Sequence, residues 1–111
     1  MSYDLSIVPV GARTLDLSAA RAAFAGRVEG EGDELVWESD ALSASIVLTE
    51  AEIGIGVSGD DVPAADRARE FEVFLMAVLD AAEQAGGRVT DAQLGREVGR
   101  ADVAAAVAEF A

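Results

Sequence analysis

No cysteine, histidine, lysine or asparagine occurs anywhere in this 111-residue sequence. Without cysteine there is no disulfide framework, no thiolate nucleophile and no sulfur-ligated metal. Without histidine, acid–base work would fall to Asp, Glu or Tyr3, and nucleophilic catalysis to an unassisted serine or a carboxylate. No serine sits in a nucleophile elbow, so no catalytic residue is assigned. Aromatics make up 5% of the chain, so the core is expected to be built from small side chains around Trp37, Phe24, Phe71, Phe74 and Phe110. No apolar run approaches the length that crosses a bilayer, and the opening MSYDLSIV lacks the basic region of a signal peptide. A cytoplasmic protein with no membrane partner is expected.

What is abundant is negative charge. Twenty-one carboxylates face eight basic residues, all arginine, for a formal net charge of −13. Such a field repels nucleic acid and anionic membranes and favours basic partners. The length fits one domain, residues 1–111, large enough to bury a core but too small for a nucleotide domain plus a substrate domain. The bias toward Ala, Gly, Arg, Asp and Val fits a GC-rich coding sequence and carries no mechanism.

Hydrophobic period locates the elements. In YDLSIVPV, Tyr3, Leu5 and Ile7 alternate with Asp4 and Ser6, the period of a half-buried strand, and Pro9 pushes that strand toward a sheet edge or marks its end. From Asp16 to Arg27 a helix is expected, with Leu17, Phe24 and Val28 on one face, Asp16 as cap and Gly26 near its finish. EGEGDE reads as a flexible acidic loop, and LVWES as a second strand with Leu35 and Trp37 on one side.

The stretch EIGIGVSGDDVP holds glycines at the spacing G-x-G-x-x-G, the mark of a dinucleotide-binding loop. The apolar face changes phase between Glu50 and Glu52, which one flat strand cannot do. Folded as a hairpin about Glu50 and Ala51, Leu48 sits opposite Ile53, Ile46 opposite Ile55, and Ala44 opposite Val57. Gly54 and Gly56 then lie inside a strand. Glu and Ala disfavour positive φ, so a four-residue turn is expected rather than a tight primed one. Asp60 and Asp61 stand where a pyrophosphate would meet the following helix, and they would repel it. No cofactor is expected.

After Pro63, Ala64, Ala68, Phe71, Leu75, Val78 and Ala82 fall within a narrow helical arc, until Gly86 and Gly87 stop it. Twenty-two residues give a helix of roughly 33 Å. Val73 and Met76 point away from that arc. A C-terminal helix presenting Val103, Val107 and Phe110 is expected to cover them; the sharper reading makes them a contact for another chain, including a second copy. RVTDAQLGREVG reads two ways. Arg88–Thr90 is a strand returning beside the first, or Thr90 and Gln93 form a capping box that opens a helix of a helix-turn-helix, with Leu94, Gly95, Val98 and Gly99 at its first helix and turn. The following helix would then be the reader, but it is nearly all alanine with Asp102 and Glu109, and no nucleic-acid partner is expected.

The SYDL start and the exit Val89, Asp91, Gln93, Leu94, Gly95 and Arg96 resemble small uncharacterised bacterial α/β proteins, some of which resemble immunity proteins of toxin systems. The likeness covers two short patches. Members carry proline where this chain has Ala92 and an aromatic residue where it has Ser6. The resemblance implies a strand at residues 88–90 and brings no catalytic residues with it.

Carboxylates cluster at Glu29, Glu31, Asp33 and Glu34 and at Asp60, Asp61 and Asp66. Neither group follows a calcium-loop spacing, and no metal is assigned. The expected architecture is an α+β two-layer sandwich of order β-α-β-β-β-α-β, mostly antiparallel, with a C-terminal helix. The expected function is non-enzymatic protein binding, with an immunity-like inhibitor of a basic partner as its concrete form. Partner contacts are expected at Glu29, Glu31, Asp33, Glu34, Asp60, Asp61, Val73 and Met76. The alternative is a small-ligand or enzymatic domain with a carboxylate-lined pocket between sheet and helices.

Overall fold

The computed structural model describes residues 2–93 and 95–110, so Leu94, one of the residues of the helix-turn-helix reading, lies outside them. Seven strands form one sheet: β1 (Ser2–Pro9), β2 (Val28–Glu29), β3 (Glu34–Glu38), β4 (Leu42–Leu48), β5 (Ile53–Gly59), β6 (Gly87–Asp91) and β7 (Arg96–Val98). Their spatial order is β2-β3-β4-β5-β1-β6-β7, and every pairing is antiparallel. Helices α1 (Leu17–Phe24), α2 (Ala64–Ala85) and α3 (Val103–Phe110) pack on one face, the last entered through a single 3-10 turn at Arg100–Asp102. The result is an α+β fold of one sheet and one helical layer.

The hairpin register is the expected one. Leu48 pairs with Ile53, Ile46 with Ile55 and Ala44 with Val57, and all six side chains are buried. Thr49 to Glu52 form the connection, closed by Thr49 N–H to the Glu52 carbonyl at 3.1 Å. No described non-glycine residue has positive φ, which excludes a primed turn at Glu50 and Ala51. Gly54, Gly56 and Gly59 all belong to β5, so the glycine spacing describes a strand and not a phosphate loop.

The core sits between the layers. Phe71 and Phe110 stack at 4.3 Å between ring centroids, the Tyr3 ring lies 5.2 Å from Phe71, and Trp37 meets Phe74 edge-on at 5.0 Å. Trp37, Phe24, Phe71, Phe74 and Phe110 are all buried, as composition predicts. Helix α2 ends where expected: Gly86 adopts φ 79° and its N–H reaches the carbonyls of Ala82 and Glu83, the left-handed C-terminal cap that glycine allows without steric cost.

Two expectations need correction and two open alternatives are resolved. The first helix stops at Phe24, because Gly26 turns left-handed at φ 83°; Val28 enters β2 opposite Trp37 instead of extending the helical face. The EGEGDE loop is shorter than expected, since Glu29 and Glu34 are themselves strand residues. Pro9 marks the end of β1 and not an edge, since β1 lies between β5 and β6. The helix reading of residues 90–98 gives way to β6, a turn and β7, because pairing across the sheet outweighs a local capping box: Ile7 opposes Val89 and Val89 opposes Val98, all buried. Two short strands, β2 and β7, thus extend the expected order at both edges.

Candidate functional site

A sheet covered on one side exposes every second residue of each strand on the other. Here the pairing aligns those residues in rows. One row runs Glu29, Val36, Ser45, Gly56, Asp4; the next runs Glu34, Val47, Gly54, Ser6, Thr90, Glu97. The floor of this helix-free face is made of serine, glycine and two half-exposed valines, Val36 and Val47. Its rim is acidic: Asp4, Glu29, Glu34, Glu38 and Glu97 are exposed, with Arg88 as a basic exception. A Cβ on Gly54 would meet nothing, and one on Gly56 would meet only the Asp4 carboxylate at 3.8 Å. The backbone of β5 is therefore open to close approach, a use for strand glycines that packing does not demand.

The carboxylates singled out by sequence fall into two places. The Asp33 backbone carbonyl accepts from Leu48 N–H at 2.7 Å, whereas Asp60 N–H donates to the Ala41 carbonyl at 2.8 Å. These contacts lie at opposite ends of β4, about 20 Å apart at the rise of a strand. Glu29 and Glu34 belong to the open face, Glu31 and Asp33 to the hairpin loop at its end, and Asp60 and Asp61 to the far end; all six are exposed. The expected loop groups are thus not one site. The signal for the open face was present as the polar half of each alternating strand, but the density of carboxylates in the loops drew attention away from Asp4, Glu38 and Glu97.

Where the arginines go sharpens the field. Arg100 pairs with Asp80 at 2.7 Å and Glu83 at 3.0 Å, Arg96 with Asp102 at 3.6 Å, and Arg69 with Asp66. Arg27 lies over the Trp37 ring at 5.8 Å. Arg21 donates to the Gly32 carbonyl and Arg67 to the Val62 carbonyl. Among the described residues no ion pair involves a carboxylate of the open face or of the two loops. On the open face Arg88 is the one described basic side chain among these carboxylates, so the face keeps a net negative potential.

One buried polar pair escaped sequence reading. The Tyr3 hydroxyl donates to the Asp91 carboxylate, and both residues are buried. The same carboxylate accepts from Gln93 N–H at 2.8 Å, which shapes the turn after β6. Burial first, then the hydrogen bond to Asp91, then the charges of Asp91 and Glu109 push the Tyr3 phenol well above its ordinary value. A phenol so held keeps its proton at neutral pH, and the pair ties β1 to the β6–β7 turn. Beside it a groove of about 330 Å³ opens on the helix-free face, lined among others by Asp4, Ser6, Arg88, Thr90 and Glu97. The space between sheet and helices, where a carboxylate-lined pocket was the alternative, is filled by the apolar core. No group of three or more acidic side chains among the described residues is placed to hold a metal ion.

On the other side of the molecule Val73 and Met76 are 44% and 36% exposed. The expectation that the C-terminal helix covers them is corrected: α3 instead sends Phe110 onto Phe71 and Tyr3, at the N-terminal half of α2 and on its core side. Val73 and Met76 line a groove of about 420 Å³ with Arg27, Arg69, Glu72 and Asp80. Among the described residues no helix is long and apolar enough to cross a membrane. No family model matches the chain, and no curated protein matches it either.

Proposed function

We propose that this protein is a non-enzymatic binding module that captures a basic protein partner on its helix-free sheet face. One observation carries this reading: a floor of serine, glycine and two valines is bordered by exposed carboxylates, none of which forms an ion pair among the described residues. The open backbone at Gly54 and Gly56 lets a partner approach closely, while a mainly acidic rim steers arginine- and lysine-rich surfaces toward it and repels acidic ones. Glu31 and Asp33 extend the same field past the end of the sheet; Asp60 and Asp61 form a separate pole. The concrete form is an immunity-like inhibitor acting in the cytoplasm, in which the acidic face covers the basic working surface of another protein.

The test is capture from native extract followed by mass spectrometry, then association kinetics on the partner recovered. The expected partner is basic, and the association rate should fall about tenfold or more between low and high salt, as for steered encounters. Reversing Glu29, Glu34 and Glu38 to lysine should slow association, with the circular dichroism spectrum unchanged. Reversing Asp60 and Asp61 separates the two poles. Recovery of only acidic partners, or rates indifferent to both salt and substitution, would leave the charge as a solubilising feature and sink the reading.

A further inference from the structure

Helix α2 carries a second surface, on the side facing away from the sheet. Asp66, Arg69, Val73, Met76, Asp80 and Glu83 recur at alternating steps of three and four, the spacing of a helix–helix seam. Their order along the helix reads the same in both directions about the point midway between Val73 and Met76, apart from a reversal of charge. In an antiparallel pairing of two copies of α2 about that point, Val73 of each copy meets Met76 of the other. One layer outward, Arg69 of each meets Asp80 of the other. Both layers occur twice by symmetry, as a two-fold contact requires. The exposed residues of the groove are thus complementary to themselves: Val73 and Met76 are the exposed apolar centre, and Arg69 and Asp80 flank them on opposite sides.

We propose that this face is a self-association surface whose occupant is a second copy of the chain, with the two α2 helices antiparallel. The outermost layer would bring Asp66 toward Glu83 of the other copy. In its own chain Arg69 already pairs with Asp66, and Arg100 with both Asp80 and Glu83, so the acidic layer enters the contact partly neutralised and the Arg69–Asp80 contacts between copies share these groups with pairs that exist in the monomer. With two apolar layers the dimer belongs at the weak end of protein interfaces. The surface is on the helical layer, so its failure and that of the sheet-face reading are separate events.

Sedimentation equilibrium of the full chain, at loadings from about 10 µM to about 1 mM in physiological salt, reads the monomer–dimer constant directly. A reversible dimer is expected. Met76→Asp should abolish it. Arg69→Glu alone and Asp80→Arg alone should each weaken it about tenfold, because each places like charges together twice. The double variant restores opposite charges across the contact and should return to within about threefold of the natural sequence. Circular dichroism and thermal melting of each variant establish that the monomers remain folded. A natural chain that stays monomeric up to about 1 mM overturns the proposal, and so does a double variant as weak as the singles.

Discussion

Raising pH should destabilise this protein through a single side chain. The sequence has no lysine and no cysteine, and Tyr3 is its one tyrosine, so Tyr3 is the one side chain that titrates between the α-amino group and arginine. In the native state the phenol is buried against Phe71 and Phe110 and donates to Asp91, all of which hold its proton on. In the unfolded chain it ionises near its ordinary value of about 10. The folded pKa is raised, so the contribution is fully present below pH of about 10 and is lost as pH climbs above it, with the unfolded state binding fewer protons. The slope is about 1.4 kcal/mol per pH unit, giving a loss of about 2 kcal/mol by pH of about 11.5. Urea unfolding followed by the fluorescence of Trp37, the one tryptophan and itself buried, measures this across the range, and tyrosinate absorbance reports the ionisation itself. Tyr3→Phe should cost about 1 to 3 kcal/mol at neutral pH, because Asp91 loses a donor, and should flatten the alkaline slope. A natural protein whose stability is level from pH of about 9 to about 11.5, or a phenylalanine variant with the same slope, would refute the reasoning.

Three further outcomes follow from packing. Ile55→Ala, in the middle of the β4–β5 register, should destabilise by about 2 to 5 kcal/mol in the same urea assay, and a loss under about 1 kcal/mol would place Ile55 outside the close-packed core. Gly87→Ala should cost about 1 to 3 kcal/mol, because its Cβ would fall 2.8 Å from the Val8 carbonyl and from Ile7, and 2.7 Å from Leu15; a neutral result would mean that β1 and β6 yield there. Millimolar NAD or ATP should leave the Tm unchanged, since any ligand bound selectively by the native state raises it. A saturable rise would restore a nucleotide role to the β5 glycines.

Elements were legible from sequence where a long pattern had to be satisfied. The phase change between Leu48 and Ile53 leaves a hairpin as the arrangement that buries Ile46, Leu48, Ile53, Ile55 and Val57 together, so register followed from side-chain alternation alone. The arc from Ala64 to Ala85, closed by two glycines, specified α2 almost to the residue. β2 and β7 were hidden because strands of two and three residues are too short to display a period, and Val28 happened to continue a helical spacing from Phe24. The Tyr3–Asp91 bond joins residues 88 apart in sequence; it appears only once β1 and β6 are paired with Leu5 opposite Asp91. The open acidic face had the same status, since its members lie on all seven strands and become neighbours only through the sheet order.

The two proposed surfaces should respond to salt with opposite signs. Capture of a basic partner on the sheet face is driven by attraction between unlike fields, so added salt slows it. Self-association through α2 brings together two bodies of charge −13 each. At low ionic strength the screening length is about 30 Å, comparable to the molecule, and the whole negative field opposes contact; at physiological salt it is about 8 Å, and only local groups still act. The two Arg69–Asp80 pairs are exposed and worth at most about 1 kcal/mol each, a small loss on screening compared with the relief of net repulsion. The dimer should therefore tighten several-fold as salt rises from about 0.01 M to about 0.15 M, while partner capture weakens over the same range. Sedimentation at the two salt concentrations decides it: a dimer that loosens with salt would show that the local ion pairs outweigh the net charge, contrary to the energetics argued for this helix face.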